Sequence, residues 1–131
     1  MKRHLAFALL LALSSGVFAE SNCQAHSKAT GSFKQAVGRV SKLPELQEWK
    51  ARHKFPVAYG FGDDKQEFVS GICRWVVPVF ADRPERLEAW NTFYVSAASR
   101  TIYVMNQVTG EPQTIAEWRN ERRSTQRHNA P

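Results

Sequence analysis

Apolar residues recur with a helical period as far as Trp49 and then, from Phe55, at every second position. No single element satisfies both periods, because a helix gathers every third or fourth side chain on one face and a strand every second. The chain must therefore build a helix first and a sheet after it. Phe33, Ala36, Val37 and Val40 line one helical face, with Ser32 placed to cap its start and Gly38 weakening it. Ser41 is placed to cap a second segment, with Pro44 in its first turn and Leu46, Trp49 and His53 on one side. The spacing fits one bent helix or two short ones.

Phe55, Val57, Tyr59 and Phe61 alternate with Pro56, Ala58 and Gly60, which predicts a first strand. Gly62, Asp63, Asp64 and Lys65 are turn residues. The long β-prone run at 67–80 predicts a second strand, with Gly71 or Pro78 marking a bulge or an edge. Residues 90–97 and 101–106 predict two more. In the third, Phe93 and Val95 oppose Trp90, Thr92 and Tyr94; in the fourth, Ile102 and Val104 oppose Tyr103 and Met105. Thr114-Ile115-Ala116-Glu117 has the form of a capping box, so a final helix starts at Ile115 and carries Trp118. The expected fold is α+β: an N-terminal helix or helix pair, a four-stranded antiparallel meander and a C-terminal helix, with the helices packed on one sheet face.

The first 19 residues are of another kind. Lys2 and Arg3 precede an uncharged run at 5–18, and Val17-Phe18-Ala19 closes it. This is the pattern of a cleavable signal peptide cut between Ala19 and Glu20. The apolar run, about 14 residues, is short against the roughly 17–25 a membrane-spanning helix needs. Periplasmic or secreted localisation is the expectation, with no stable membrane anchor after cleavage. Cys23 and Cys73 both lie beyond the cut, and in an oxidising compartment a lone pair is expected to form a disulfide.

Removing residues 1–19 from 131 leaves 112, enough for one domain spanning 20–118, followed by a basic segment at 119–131 expected to be a flexible tail. Charge follows the same division. The full chain carries +6; without Lys2 and Arg3 it has 16 basic and 12 acidic residues, a net +4. Four arginines (119, 122, 123 and 127) against Glu121 put +3 of that in the tail, leaving +1 on the body. A body this close to neutral offers no basic face for nucleic acid.

Catalytic and metal patterns are missing from the sequence. His26, His53 and His128 share no ligand spacing. The stretch at 63–67 lacks the spacing of a calcium loop, and no serine sits in a nucleophile motif. No cofactor, metal or catalytic residue is expected. What the sequence does offer is aromatic: 13 large rings in the 112 residues after the leader. Helices cover one sheet face at most, so the other is expected to present Trp75, Trp90, Tyr94, Tyr103 and Met105, with Arg74 and Arg100 as charged anchors. Aromatics, methionine and arginine are enriched where proteins meet. The alternative is a second face buried by the N-terminal arm or in a homodimer. The expected function is non-enzymatic binding of another protein, as an inhibitor, immunity factor or accessory subunit. Behind it stand a domain holding an apolar ligand or cell-wall fragment between helix and sheet, and a small envelope hydrolase.

Overall fold

The computed structural model describes residue 23 and residues 29–131. The leader read at 1–19 lies outside the described residues. Two helices, α1 (Phe33–Ser41) and α2 (Pro44–His53), precede six strands: β1 (Val57–Tyr59), β2 (Gln66–Val69), β3 (Ile72–Asp82), β4 (Leu87–Val95), β5 (Tyr103–Met105) and β6 (Pro112–Thr114). A third helix, α3 (Ile115–His128), ends the chain. The architecture is α+β with helices at both ends of an antiparallel sheet, as the two periods require. Six strands replace the expected four, in the order β1-β3-β4-β5-β6, with β2 also on β3.

The extra strands arise from local turn chemistry. The run at 67–80 is a hairpin, because Ser70 and Gly71 both take positive φ, 49° and 84°. Two such residues form the tight turn that matches the twist of paired strands, and Val69 pairs directly with Ile72 across it. Gly71 is therefore a turn residue and marks no bulge. Pro78 lies inside β3 without disturbing the pairing with β4. Its carbonyl accepts from Gly60 N at 2.9 Å. A residue's N–H and C=O point to the same edge, so the missing donor faces the interval where β1 has ended and β2 has not begun. The second added strand, β6, is three residues long and runs straight into α3.

Ser32 caps α1 and the Thr114 box caps α3, as the sequence predicts, and Gln35 completes a box at Ser32 as well. Ser32 Oγ accepts from Gln35 N, and Gln35 Oε1 accepts from Ser32 N. Thr114 and Glu117 make the same reciprocal pair at α3. Ser41, expected to cap α2, instead ends α1 and donates to Gly38 O; α2 starts at Pro44 after Leu43 without a side-chain cap. Proline's fixed φ and absent N–H suit that first turn.

All three helices contribute to one core. Ala36, Val40, Leu46 and Trp118 are buried with Trp75, Val77, Val79, Phe93, Val95 and Val104 of the sheet. Helix α3 runs on through Arg119 into the basic segment. The helix continues to His128, and Arg119 makes a bidentate pair with Glu45 of α2, Nη2 to Oε2 at 3.2 Å. Beyond that docked turn α3 is largely exposed. Burial alone would raise the Glu45 carboxyl, but hydrogen bonds from Arg119 and from its own backbone, with the charges of Arg119 and Arg122, outweigh it and hold the carboxyl below its ordinary value. A depressed carboxyl adds stability that is fully present above its unfolded-state pKa and lost as pH falls through the folded one. Arg119 is partly exposed, so the pair is worth about 0.5–1 kcal/mol. Urea melts between neutral pH and pH 3 should show R119Q losing that much at pH 7 and almost nothing at pH 3. An equal loss at both ends would mean that Arg119 acts by packing.

Candidate functional site

Alternation along β3 sends Trp75, Val77 and Val79 toward the helices and Arg74, Val76, Pro78 and Phe80 to the opposite face. No helix residue belongs to the buried cluster there, which holds Val69, Val76 and Tyr94 with Tyr103 and Met105 against them. The register sets Val76 opposite Tyr94 and Tyr94 opposite Tyr103, a cross-strand row through three strands. Burial pushes the Tyr94 hydroxyl up, with Glu67 and Glu111 adding to it.

Four of the seven expected contact residues share this face: Arg74, Tyr94, Tyr103 and Met105. Arg74 is more structural than its charge suggests. It is 3 % exposed, its Nε donates to Val69 O and its Nη1 to Thr101 O, and its guanidinium lies 4.5 Å from the Tyr103 ring centroid. Tyr103 in turn donates to Ser70 Oγ at 2.8 Å, so the pair fastens the β2–β3 turn to β5. Arg100 is exposed at the β4–β5 connection, and its carbonyl accepts from Arg39.

Trp75 and Trp90 stand on the helix side. Trp75 is buried, donates from Nε1 to Gly31 O and meets Phe33 edge-on. Trp90 was expected beside Tyr94, but a bulge intervenes: Val79 pairs with Asn91 and Phe80 with Ala89, leaving Trp90 as the extra residue. Such an insertion breaks the alternation and turns the inserted side chain to its neighbour's side. Trp90 thereby stacks on Trp49 of α2, ring centroids 5.0 Å apart and 15° from parallel, and meets Trp118 of α3 edge-on at 6.0 Å.

A groove of about 450 Å³ opens on the Tyr94 face and reaches Phe33, the first residue of α1, at its edge. Its floor is Val76, Pro78, Phe80, Thr92 and Met105. The connection at 60–65, which fills the interval between β1 and β2, forms one wall. Gly60 turns the chain there with φ 73°, and a Cβ at that position would stand 3.3 Å from the Phe33 ring. Phe61 follows, 68 % exposed and in ring contact with Phe80 at 4.6 Å. Asp63, Asp64 and Glu67 rim the groove with Lys65, whose ammonium lies 3.4 Å from Glu67. Phe61 is an exposed ring that the sequence expectation for this face did not include. The signal was a phenylalanine between two glycines, at the end of an alternating run, where the turn holds its ring away from the core.

Among the described residues no three or more His, Cys, Asp or Glu side chains cluster as metal ligands, and no helix is long and apolar enough to cross a membrane. Cys23 and Cys73 are joined in a disulfide with their Cα atoms 5.5 Å apart, which is compatible with an oxidising extracellular compartment. The chain matches no family model, no curated protein and no solved structure.

Proposed function

We propose that the protein is an exported, non-enzymatic binding protein that holds another protein on its helix-free sheet face, as an inhibitor, immunity factor or accessory subunit does. The observation that carries this reading is Phe61: a large ring 68 % exposed, backed by Phe80 and opening onto an apolar groove. Holding such a ring in water is unfavourable, and concave apolar floors with polar rims are where partners anchor. Three rim carboxylates against one ammonium favour an apolar side chain flanked by cations on the partner. Export is supported by the leader-like sequence at 1–19 and the disulfide.

A photo-crosslinking residue at position 61, expressed in the native host, tests the docking face against the same residue at Lys50, exposed on α2. A single dominant protein adduct from position 61 and none from position 50 is the expected result. Identical adducts from both, or none from either, would refute the docking face. The protein recovered from the extracytoplasmic fraction should begin at Glu20, and its recovery from the cytoplasm alone, with Met1 intact, would remove the export reading.

A further inference from the structure

A second cleft, of about 620 Å³, lies between α3, β4 and the end of β5, and shares Met105 with the groove. Its lining is chemically unlike the groove. Six carboxamides face it: Asn91 on β4, Asn106 and Gln107 after β5, Gln113 on β6, and Gln126 and Asn129 at the end of α3. Trp90 and Trp118 also line it, and Glu121 and Arg122 are its only charged groups, of opposite sign.

Part of this set is held rigid by its own hydrogen bonds. Gln107 Nε2 donates to Trp90 O and, at 3.1 Å, to Asn91 Oδ1, pinning the bulge. Asn106 Oδ1 accepts from Val108 N and Thr109 N at 2.9 and 3.1 Å, which fixes the turn. Glu121 accepts from Asn106 Nδ2 and Gln113 Nε2 at 3.5 and 3.3 Å, so its carboxylate is oriented yet keeps lone pairs for a further donor. The Arg122 guanidinium lies 4.9 Å from the Trp118 ring centroid, a flat wall beside the half-buried Trp90. Among the described residues Gln126 and the Asn91 Nδ2 have no protein partner and remain for a ligand.

We propose that this cleft binds a saccharide, a neutral glycan unit packed against the exposed part of Trp90 and held by the carboxamides and Glu121. A carboxamide offers a donor and an acceptor on one planar group, which matches the vicinal hydroxyls of a sugar, each both donor and acceptor. Aromatic surface with an apolar body suits the C–H faces of a pyranose ring. The balanced charge selects against an ionic ligand. The carboxamides come from four separate segments and surround the cleft, an arrangement that fits a compact ring rather than an extended peptide backbone. The volume is that of an ordinary small-ligand site, about 300–1,000 Å³.

The test is calorimetric titration of the purified, disulfide-bonded protein with chitotriose, cellotriose and maltotriose, with a neutral Gly-Ser tetrapeptide as the competing class. At least one trisaccharide should bind. Q126A and E121Q should each weaken it by about tenfold with the thermal midpoint unchanged, and F61A, in the groove, should leave it as it was. No heat from any of the three sugars at about 10 mM would overturn the proposal. So would affinity insensitive to both cleft variants, or tighter binding of the tetrapeptide. Because Phe61 lines only the groove and Gln126 only the cleft, failure here is distinguishable from failure of the protein-docking reading.

Discussion

Replacing Cys23 and Cys73 together by serine is expected to lower the unfolding free energy by about 4 kcal/mol, the loop-entropy value for a closure of this length; the bridge spans a sequence separation of 50. A domain of about 110 residues holds only about 5–15 kcal/mol in total, so the loss is a large fraction of what exists. Cys73 lies near the start of β3, which pairs with β1, β2 and β4. The bridge thus ties the N-terminal segment to the strand on which half the sheet is assembled. That segment is also held by Thr30 O, which accepts from Ala97 N, and by Gly31 O, which accepts from Trp75 Nε1. Without the disulfide the segment is ordered by hydrogen bonds such as these, at roughly 1 kcal/mol each. Urea unfolding of the oxidised protein, the reduced protein and the double serine variant separates the contributions. Reduced and serine forms should coincide, with thermal midpoints lower on the order of 15 °C. A difference under about 1 kcal/mol would mean that the hydrogen bonds suffice and the bridge adds little. A loss of the expected size would make folding in a reducing compartment marginal, which bears directly on where the protein works.

The elements that depend on local chemistry were legible in the chain, and those that depend on pairing were not. Ser32 and Thr114 cap helices because a side-chain oxygen and its partner three residues later need nothing from the rest of the fold. Ser41 misled because capping residues also serve inside a last helical turn, where its hydroxyl found Gly38 O. The hairpin at Ser70-Gly71 was hidden in a continuous β-prone run, since a serine at positive φ carries no compositional mark. Arg119 belongs to a docked helix turn because Glu45, far off in sequence, offers its carboxylate across the α2–α3 contact. The candidate surface divided along the same line. Strict alternation places Tyr94, Tyr103 and Met105 on the face away from the helices, while Phe61, the last residue of the alternating run at 55–61, falls beyond the end of β1 because Gly60 turns the chain before it.

Trp90→Ala is expected to cost about 2–3 kcal/mol, less than the roughly 3–5 kcal/mol for a fully buried aromatic side chain because Trp90 is half-buried. Unbroken alternation would set Trp90 beside Tyr94 on the helix-free face, and there the same change would cost little or affect only binding. The bulge between Val79 and Phe80 sends it the other way, into ring contact with Trp49, Phe93 and Trp118. One side chain thereby joins α2, β4 and α3. Its loss opens a cavity that none of those elements can close without giving up a contact of its own. Trp90→Phe keeps a ring but shortens its reach, and should cost less than half as much. Trp49→Ala removes the stacked partner, and a double-mutant cycle between the two positions should return a coupling of about 0.5–1.5 kcal/mol beyond area burial. Near-ultraviolet circular dichroism of W90A, measured below its unfolding transition, should lose the signal of the stacked pair. A stability loss under about 1 kcal/mol with that signal intact would return Trp90 to the surface that alternation assigns it. The helices would then be held on the sheet by Trp118 and Leu46 without an aromatic bridge between them.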